Sequence, residues 1–562
     1  MYQKSQNHGG YAVLARAILV LLVVCVFLAS LTSSAVSESE QKAQPDPVDT
    51  GTGSDTEQIL INAAQSLGWP TTISTRPDLP GQALQVSADG KGQDSPMWLS
   101  ISTMAGLDQP TLLDALESRG LTRGVFHGRQ AIILRAGDLV YNGNTLTRAA
   151  CGLIAWRCGP YVFAAEDATG SGRESEIAEA LHAAAESGNL CGIADTVVIL
   201  AETTDAPGVS SLGRLQTLAQ AANRYYSLNA YGRAGFHFTF MDADGSQGDH
   251  DWYNVGPSLA TYCDDGYGFV CAAVERAFEG VGLPEVAYLE RVIVVYPAHK
   301  PASCTGSLCT ATFTPGSEYY VELPGAERNS RVYITNLILV SEEDELGNWV
   351  HELGHTLYSK YASAYGQHRI PDLYLYDELE QRFVQSTGHW DLMGTGCQWG
   401  NPVGSAPTHM SSYTKEAANW LRYTPAQMDR DYVLTALENQ VMGDSVLKLD
   451  DPASEDPLCY YIIEARDRDV DFGAPESGVV IYHVTYDHKA SRAAVNAVAP
   501  QTGAAEATRA GQTFQRSTLH EAASHQGVKE YLDPVSGFRV RLLTESFRPY
   551  KATVRVERYQ AN

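Results

Sequence analysis

Apolar and polar positions fall into successive patterns along the chain. Residues 17–29, AILVLLVVCVFLA, form an unbroken apolar run, and a polar, acidic stretch rich in Pro, Gly and Ser follows at 36–56. Between 57 and 192, strand-like runs such as QAIILRAG, LVYNG and PYVFAA alternate with helical patterns. The clearest helix covers 174–187, an Ala-rich amphipathic run that stops before Gly188. From about 193, TVVILAE (196–202) and RVIVVY (291–296) predict buried strands. A helix over 210–228, a strand at 236–240, and YVEL and VYITNLILVS before the next helix complete that region. From about 430 short strands recur: YVLTAL, SVLKLD, CYYIIEA, GVVIYHVTY, FRVRLL and KATVRVERY. That spacing predicts a β-sandwich.

The resulting expectation is an α+β protein of several domains, in keeping with 562 residues. Residues 1–35 read as a signal peptide: Lys4 and Arg16 precede the apolar run, and Ser33-x-Ala35 offers a small-residue cleavage site. The run is short for a membrane span, which needs about 20 residues. An uncleaved N-terminal anchor over 12–31 is the alternative, and no second span is expected. Residues 36–56 read as a linker. Residues 57–192 form a small domain without a catalytic constellation, propeptide-like by position or else a permanent accessory module. Residues 193–428 form a mixed α/β domain, and 429–562 the sandwich.

Charge and cysteines narrow the setting. The net charge is −26, from 40 basic and 66 acidic residues, which disfavours nucleic acid and anionic lipid as partners. Three of the 10 cysteines' pairings are close in sequence: Cys151/Cys158, Cys263/Cys271 and Cys304/Cys309. Local disulfides in an exported protein are the expectation. Cys151 or Cys158 as a thiolate cap on a metal is the weaker alternative.

Residues 351–355 read His-Glu-Leu-Gly-His. On a helix, residues four apart stand nearly one above the other, so two imidazoles can hold one metal ion, and zinc suits them. The Glu beside the first His can take a proton from a metal-activated water. Ser341 with Asp344 offers a capping box to start the helix. With Leu346 at 0°, Trp349, Val350, Leu353 and Leu357 share one face, while His351, His355 and Glu352 fall at about 140°, 180° and 240°. The polar trio therefore faces away from the apolar contact.

Downstream come Ile370-Pro371-Asp372-Leu373-Tyr374, then Trp390-Asp391-Leu392-Met393-Gly394. Further on stand Ser411-Ser412-Tyr413-Thr414-Lys415, ending Asn419-Trp420-Leu421, and the strands Tyr460-Tyr461-Ile462-Ile463-Glu464-Ala465-Arg466 and Gly478-Val479-Val480-Ile481-Tyr482-His483-Val484. In this order the segments, over roughly 195–560, resemble the immune inhibitor A-type secreted zinc metalloproteases (peptidase family M6). The resemblance implies a metzincin-like catalytic domain acting on proteins or peptides. It implies Zn²⁺ held by His351, His355 and Asp372, Glu352 as general base, and Met393 as the Met-turn under the metal. The family's compact form places the acidic ligand six residues after the second His, whereas here 372 − 355 = 17. His368, Asp377 and Glu378 are the alternative third ligands.

Asp242, Asp244, Asp249 and Asp251 cluster around two glycines and form a candidate Ca²⁺ site, or a solvated turn. His520 and His525 are five residues apart, which rotates them away from one another on a helix. No GxSxG, GxxxxGK[ST] or GxGxxG segment occurs. The leading expectation is a secreted zinc endopeptidase. The alternative is a secreted binding or adhesion protein built on a non-catalytic zincin scaffold.

Overall fold

The computed structural model describes residues 52–75, 82–88, 97–103, 123–126, 129–135, 139–142, 145–149, 151–158, 161–187, 195–232, 234–241, 251–279, 286–298, 311–313, 320–323, 330–357, 359, 369–377, 382–385, 387–418, 420–439, 446–471, 473–487, 492–497, 506–509, 512–515, 518–519 and 529–559. The stretch read as a signal peptide, most of that read as a linker, Cys304/Cys309 and the His520/His525 pair lie outside them. Among the described residues no helix is long and apolar enough to cross a membrane. Mixed helices and sheets make this an α+β protein with several sheets and few helices.

The first unit opens with helix α1 (Thr52–Ser66), which starts inside the stretch read as linker. Its Ile59, Leu60, Ala63 and Ala64 are buried, so packing extends the helix beyond what the polar composition of its first turn indicates. Strands β1 (Ile73–Thr75), β2 (Gln82–Ser87), β3 (Met97–Thr103), β4 (Arg123–Phe126), β5 (Arg129–Leu134), β6 (Gly152–Cys158) and β7 (Tyr161–Asp167) form an antiparallel sheet in the order β1-β2-β3-β7-β6-β5-β4. Helix α2 (Glu174–Ser187) matches the sequence expectation residue for residue. Its Ile177, Ala178, Leu181 and Ala185 join α1 and one face of the sheet in a core of their own.

The central unit is a largely parallel sheet. Strands β8 (Asp195–Glu202), β9 (His237–Phe240), β10 (Trp252–Asn254), β11 (Val286–Tyr296) and β14 (Ser330–Ser341) run parallel. The short β12 (Ala311–Phe313) and β13 (Tyr320–Leu323) both pair antiparallel with β14. Alternation along the strands sorts side chains to two faces. Val198, Leu200, Ile293, Val295, Ile338 and Val340 meet helices α3 (Leu212–Asn229) and α5 (Leu346–Gly354). Val197, Ile199, Val292, Val294, Leu337 and Leu339 meet α4 (Gly266–Phe278).

After the hairpin β15 (Tyr374–Asp377) and β16 (Arg382–Gln385) and helix α6 (Ser412–Ala417), the chain forms two facing sheets. One is β17 (Thr424–Pro425), β19 (Leu447–Asp450), β20 (Tyr460–Arg466), β21 (Gly478–Asp487) and β22 (Arg492–Ala497), with β23 (Thr518–Leu519) also on β21. The other is β18 (Arg430–Thr435), β26 (Lys551–Arg558), β25 (Phe538–Ser546) and β24 (Glu530–Asp533), in that order. Leu434, Ile463, Ile481, Val540 and Val554 fill the space between them. The other face of β20 and β21, through Tyr460, Ile462, Val480 and Tyr482, belongs to the core that contains α3 and α5.

Two expected disulfides do not form. Cys151 is a thiol and precedes β6, which ends at Cys158. An extended strand of that length separates them by about 20 Å, far beyond disulfide reach. Cys263 is disulfide-bonded, but Cys271 is a thiol inside α4, hydrogen-bonded to Tyr267 one turn earlier. Burial, then Glu166, Asp167 and Glu174, pushes the Cys151 thiol up to about 11, which opposes a thiolate role.

Candidate metal centre

Helix α5 crosses the sheet face with Trp349, Val350 and Leu353 buried against it. The expected capping box forms only a turn ahead of the helix. The Ser341 N–H donates to Asp344 Oδ2 (2.7 Å), while the N-cap is Glu345, without a side-chain hydrogen bond. Gly347 fits this path because a Cβ there would stand 1.8 Å from the Cys397 carbonyl oxygen.

His351 and His355 project from the last turn of α5 and its C-cap. Their Nε2 atoms are 3.2 Å apart. Asp372 Oδ1 lies 3.1 Å from His351 Nε2 and 3.4 Å from His355 Nε2. These three atoms converge and can hold a metal ion. Each imidazole is oriented through its other nitrogen: His351 Nδ1 meets Leu392 O at 3.1 Å, and His355 Nδ1 meets Ile370 O at 2.9 Å. A carbonyl only accepts, so both Nδ1 atoms carry the hydrogen and both Nε2 atoms present a lone pair to the centre.

The electrostatics agree with that arrangement. Burial opposes charge on His351, but Asp372 and the Cys397 thiol beside its ring outweigh it and raise its pKa well above an ordinary imidazole's. Burial also pushes Asp372 up, and hydrogen bonds from the two His hold its carboxyl below the usual range. A cation entering here competes with protons for these donor atoms, so metal uptake depends on pH.

Asp372 is the acidic candidate brought to the two His. Asp377 ends β15 opposite Arg382, and His368 and Glu378 lie outside the described residues. Hydrogen bonds at both ends hold the Asp372 segment. Ile370 N–H donates to Leu357 O (3.0 Å), and Leu373 N–H to Met393 O (2.7 Å). Residues 392–393 therefore support His351 through one carbonyl and the Asp372 segment through the next. Met393 is fully buried under Gly354, where a Cβ would stand 2.5 Å from its Sδ. Asp391 fixes this turn by accepting from the N–H groups of Met393 and Ser411 and from Thr414 Oγ1, each at 2.7 Å.

Three further side chains belong to the centre. Thr312 Oγ1 lies 2.9 Å from both Glu352 O and Glu352 Oε2. The Tyr374 ring runs nearly parallel to His351 (18°, centroids 6.4 Å apart), and its hydroxyl hydrogen-bonds Asp372. Burial and the Asp372 charge raise the Tyr374 pKa, so the phenol keeps its proton. Cys397 is a buried thiol. Tyr374 stood within a quoted motif, whereas Thr312 and Cys397 carry no periodic or spacing signal.

A second convergent group, His409, Glu438 and Asp471, already surrounds a cation. Arg466 Nε reaches Glu438 Oε1 at 2.5 Å and Nη2 reaches Asp471 Oδ2 at 2.8 Å. Its Nη1 also donates to Trp390 O (2.8 Å), linking β20 to the Met393 turn. Burial, with Lys415 and Arg466 nearby, pulls His409 down to about 4. Of the candidate calcium carboxylates, Asp242, Asp244 and Asp249 lie outside the described residues. Asp251 is 3 % exposed and helps line a cavity of about 420 Å³ with Leu200, Ser211, Gln216 and Trp252. No protein-family model and no curated protein matches the chain.

Proposed function

We propose that the chain is a secreted zinc-dependent endopeptidase of the metzincin-like kind implied by its resemblance to immune inhibitor A-type proteases. The observation that carries this reading is the triangle of His351 Nε2, His355 Nε2 and Asp372 Oδ1, with sides of 3.2, 3.1 and 3.4 Å. Two ligands bonded to zinc at its usual lengths and tetrahedral angle stand about 3.3 Å apart, so the donor set fits one ion with a fourth position left open. Two neutral imidazoles and a carboxylate are also a donor set that zinc favours.

When bound, zinc supplies the positive charge that acidifies a water and polarises a peptide carbonyl. Glu352 takes the proton that the water loses as its oxygen bonds the carbonyl carbon. It gives that proton to the amine nitrogen as the C–N bond breaks. Tyr374 and the carbonyls of Leu392 and Ile370 keep the three ligands in position. Edge strand β12, beside α5, has no strand on its outer side among the described residues. An extended peptide can align along such an edge.

The test is zinc content and casein cleavage for the wild type and Glu352→Gln. One zinc per chain in both, with cleavage reduced at least 1,000-fold in the variant, is the expected result, of the order that loss of a general base produces. Wild-type protein that takes up no zinc, or a fully active Glu352→Gln, overturns the reading.

A further inference from the structure

We propose that Thr312 positions the catalytic carboxylate, its hydroxyl holding Glu352 through Oε2 so that Oε1 is the oxygen that meets the attacking water. This rests on the peptidase reading above. Thr312 is the middle residue of β12 and pairs with Ile338 of β14. Cross-strand partners share a face, and Ile338 lies in the core that contains α5. The Thr312 side chain is therefore directed at α5 by the pleat.

The contact has a purely structural side. Glu352 O is among the last carbonyls of α5, which a helix leaves without intrahelical partners. Its neighbours find backbone donors: His355 N–H reaches His351 O, Thr356 N–H reaches Leu353 O and Leu357 N–H reaches Gly354 O. Thr312 Oγ1, 2.9 Å away, serves Glu352 O. A carbonyl cap alone does not require the carboxylate of the same residue to fold back onto the same hydroxyl, yet Oε2 also stands 2.9 Å from Oγ1.

A hydroxyl has one proton and two lone pairs. It donates to Oε2 while Glu352 is ionised. The contact engages Oε2 and Glu352 O and leaves Oε1 to receive the water's proton. Both partners stand at 2.9 Å, so the carboxylate is fixed through Oε2 and Oε1 keeps one position. Such preorganisation acts on the chemical step and not on substrate binding.

The test uses the full chain with Thr312→Val, Thr312→Ser, Glu352→Ala and Thr312→Val/Glu352→Ala. Valine keeps the branched shape and removes the hydroxyl. Thr312→Val is expected to retain zinc and a KM within about twofold while kcat falls about 10- to 100-fold, and Thr312→Ser to recover most of that loss. In urea unfolding, the Thr312 and Glu352 substitutions are expected to be non-additive by at least about threefold in the unfolding equilibrium constant, because a side-chain contact joins them. An unchanged kcat in Thr312→Val, a Thr312→Ser as slow as Thr312→Val, or additive unfolding in an active enzyme overturns this proposal and leaves the peptidase reading standing. A wild type that binds zinc and cleaves nothing overturns both.

Discussion

Tyr374 flanks the metal centre on a side that the His-Glu-Leu-Gly-His spacing does not describe. It stacks beside one candidate ligand, His351, and hydrogen-bonds another, Asp372. Outer hydrogen bonds of this kind typically contribute about 10- to 100-fold to metal affinity. Tyr374→Phe is therefore expected to weaken zinc binding about 10-fold, read by competition with a chromophoric chelator. Unchanged affinity would show that the ring alone matters. His351, Glu352 and His355 were legible in the sequence because helix geometry converts spacing directly into position. Asp372 was legible only through a resemblance, because its place depends on where a loop returns. Thr312 and Cys397 were not legible, since each reaches the centre through a non-local contact.

Helix α5 shows how packing overrides local preference. Alanine favours a helix interior over glycine by about 1 kcal/mol, so by propensity Gly347→Ala should stabilise. Its new methyl would instead meet the Cys397 carbonyl, which belongs to a buried backbone turn. The expected outcome is a loss of about 3 kcal/mol in denaturant unfolding, with zinc content falling as α5 shifts. A stabilised variant would show that this turn yields. The long elements were readable where periodicity and burial agree. Strand β8, strand β11, helix α2 and the sandwich strands all fall where their patterns indicate. The start of α5 was misplaced because Ser341 and Asp344 satisfy each other in a turn before the helix begins. The Cys151/Cys158 and Cys263/Cys271 pairings were misread because one pair is carried apart by a strand and the other has a member inside a helix.

The sandwich and the central unit share one core, in which Tyr460, Ile462, Val480 and Tyr482 lie with Trp349, Met393 and Trp420. Buried charges reinforce the join: Arg466 and Glu464 of β20 meet the Met393 turn and α6 through Trp390 O and the Ser412 N–H. A chain ended at residue 428 would expose that apolar face and lose Arg466. It is expected to lack a cooperative transition and to bind no zinc, whereas a soluble, zinc-loaded 36–428 fragment would refute the shared core. The first unit keeps its own core and touches the rest through Glu174 and Arg422 at 3.4 Å. Sequence composition marked these three regions but gave no sign that two of them are a single folding unit, because a shared core appears only when both faces of β20 are seen to be buried.

The bond from Ile370 N–H to Leu357 O makes neighbours of two residues 13 apart in sequence, one just after His355 and one just before Asp372. Asp372 is held from its own side as well, by the bond from Leu373 N–H to Met393 O. The place of Asp372 is therefore set by these backbone bonds and not by the number of residues that separate it from His355.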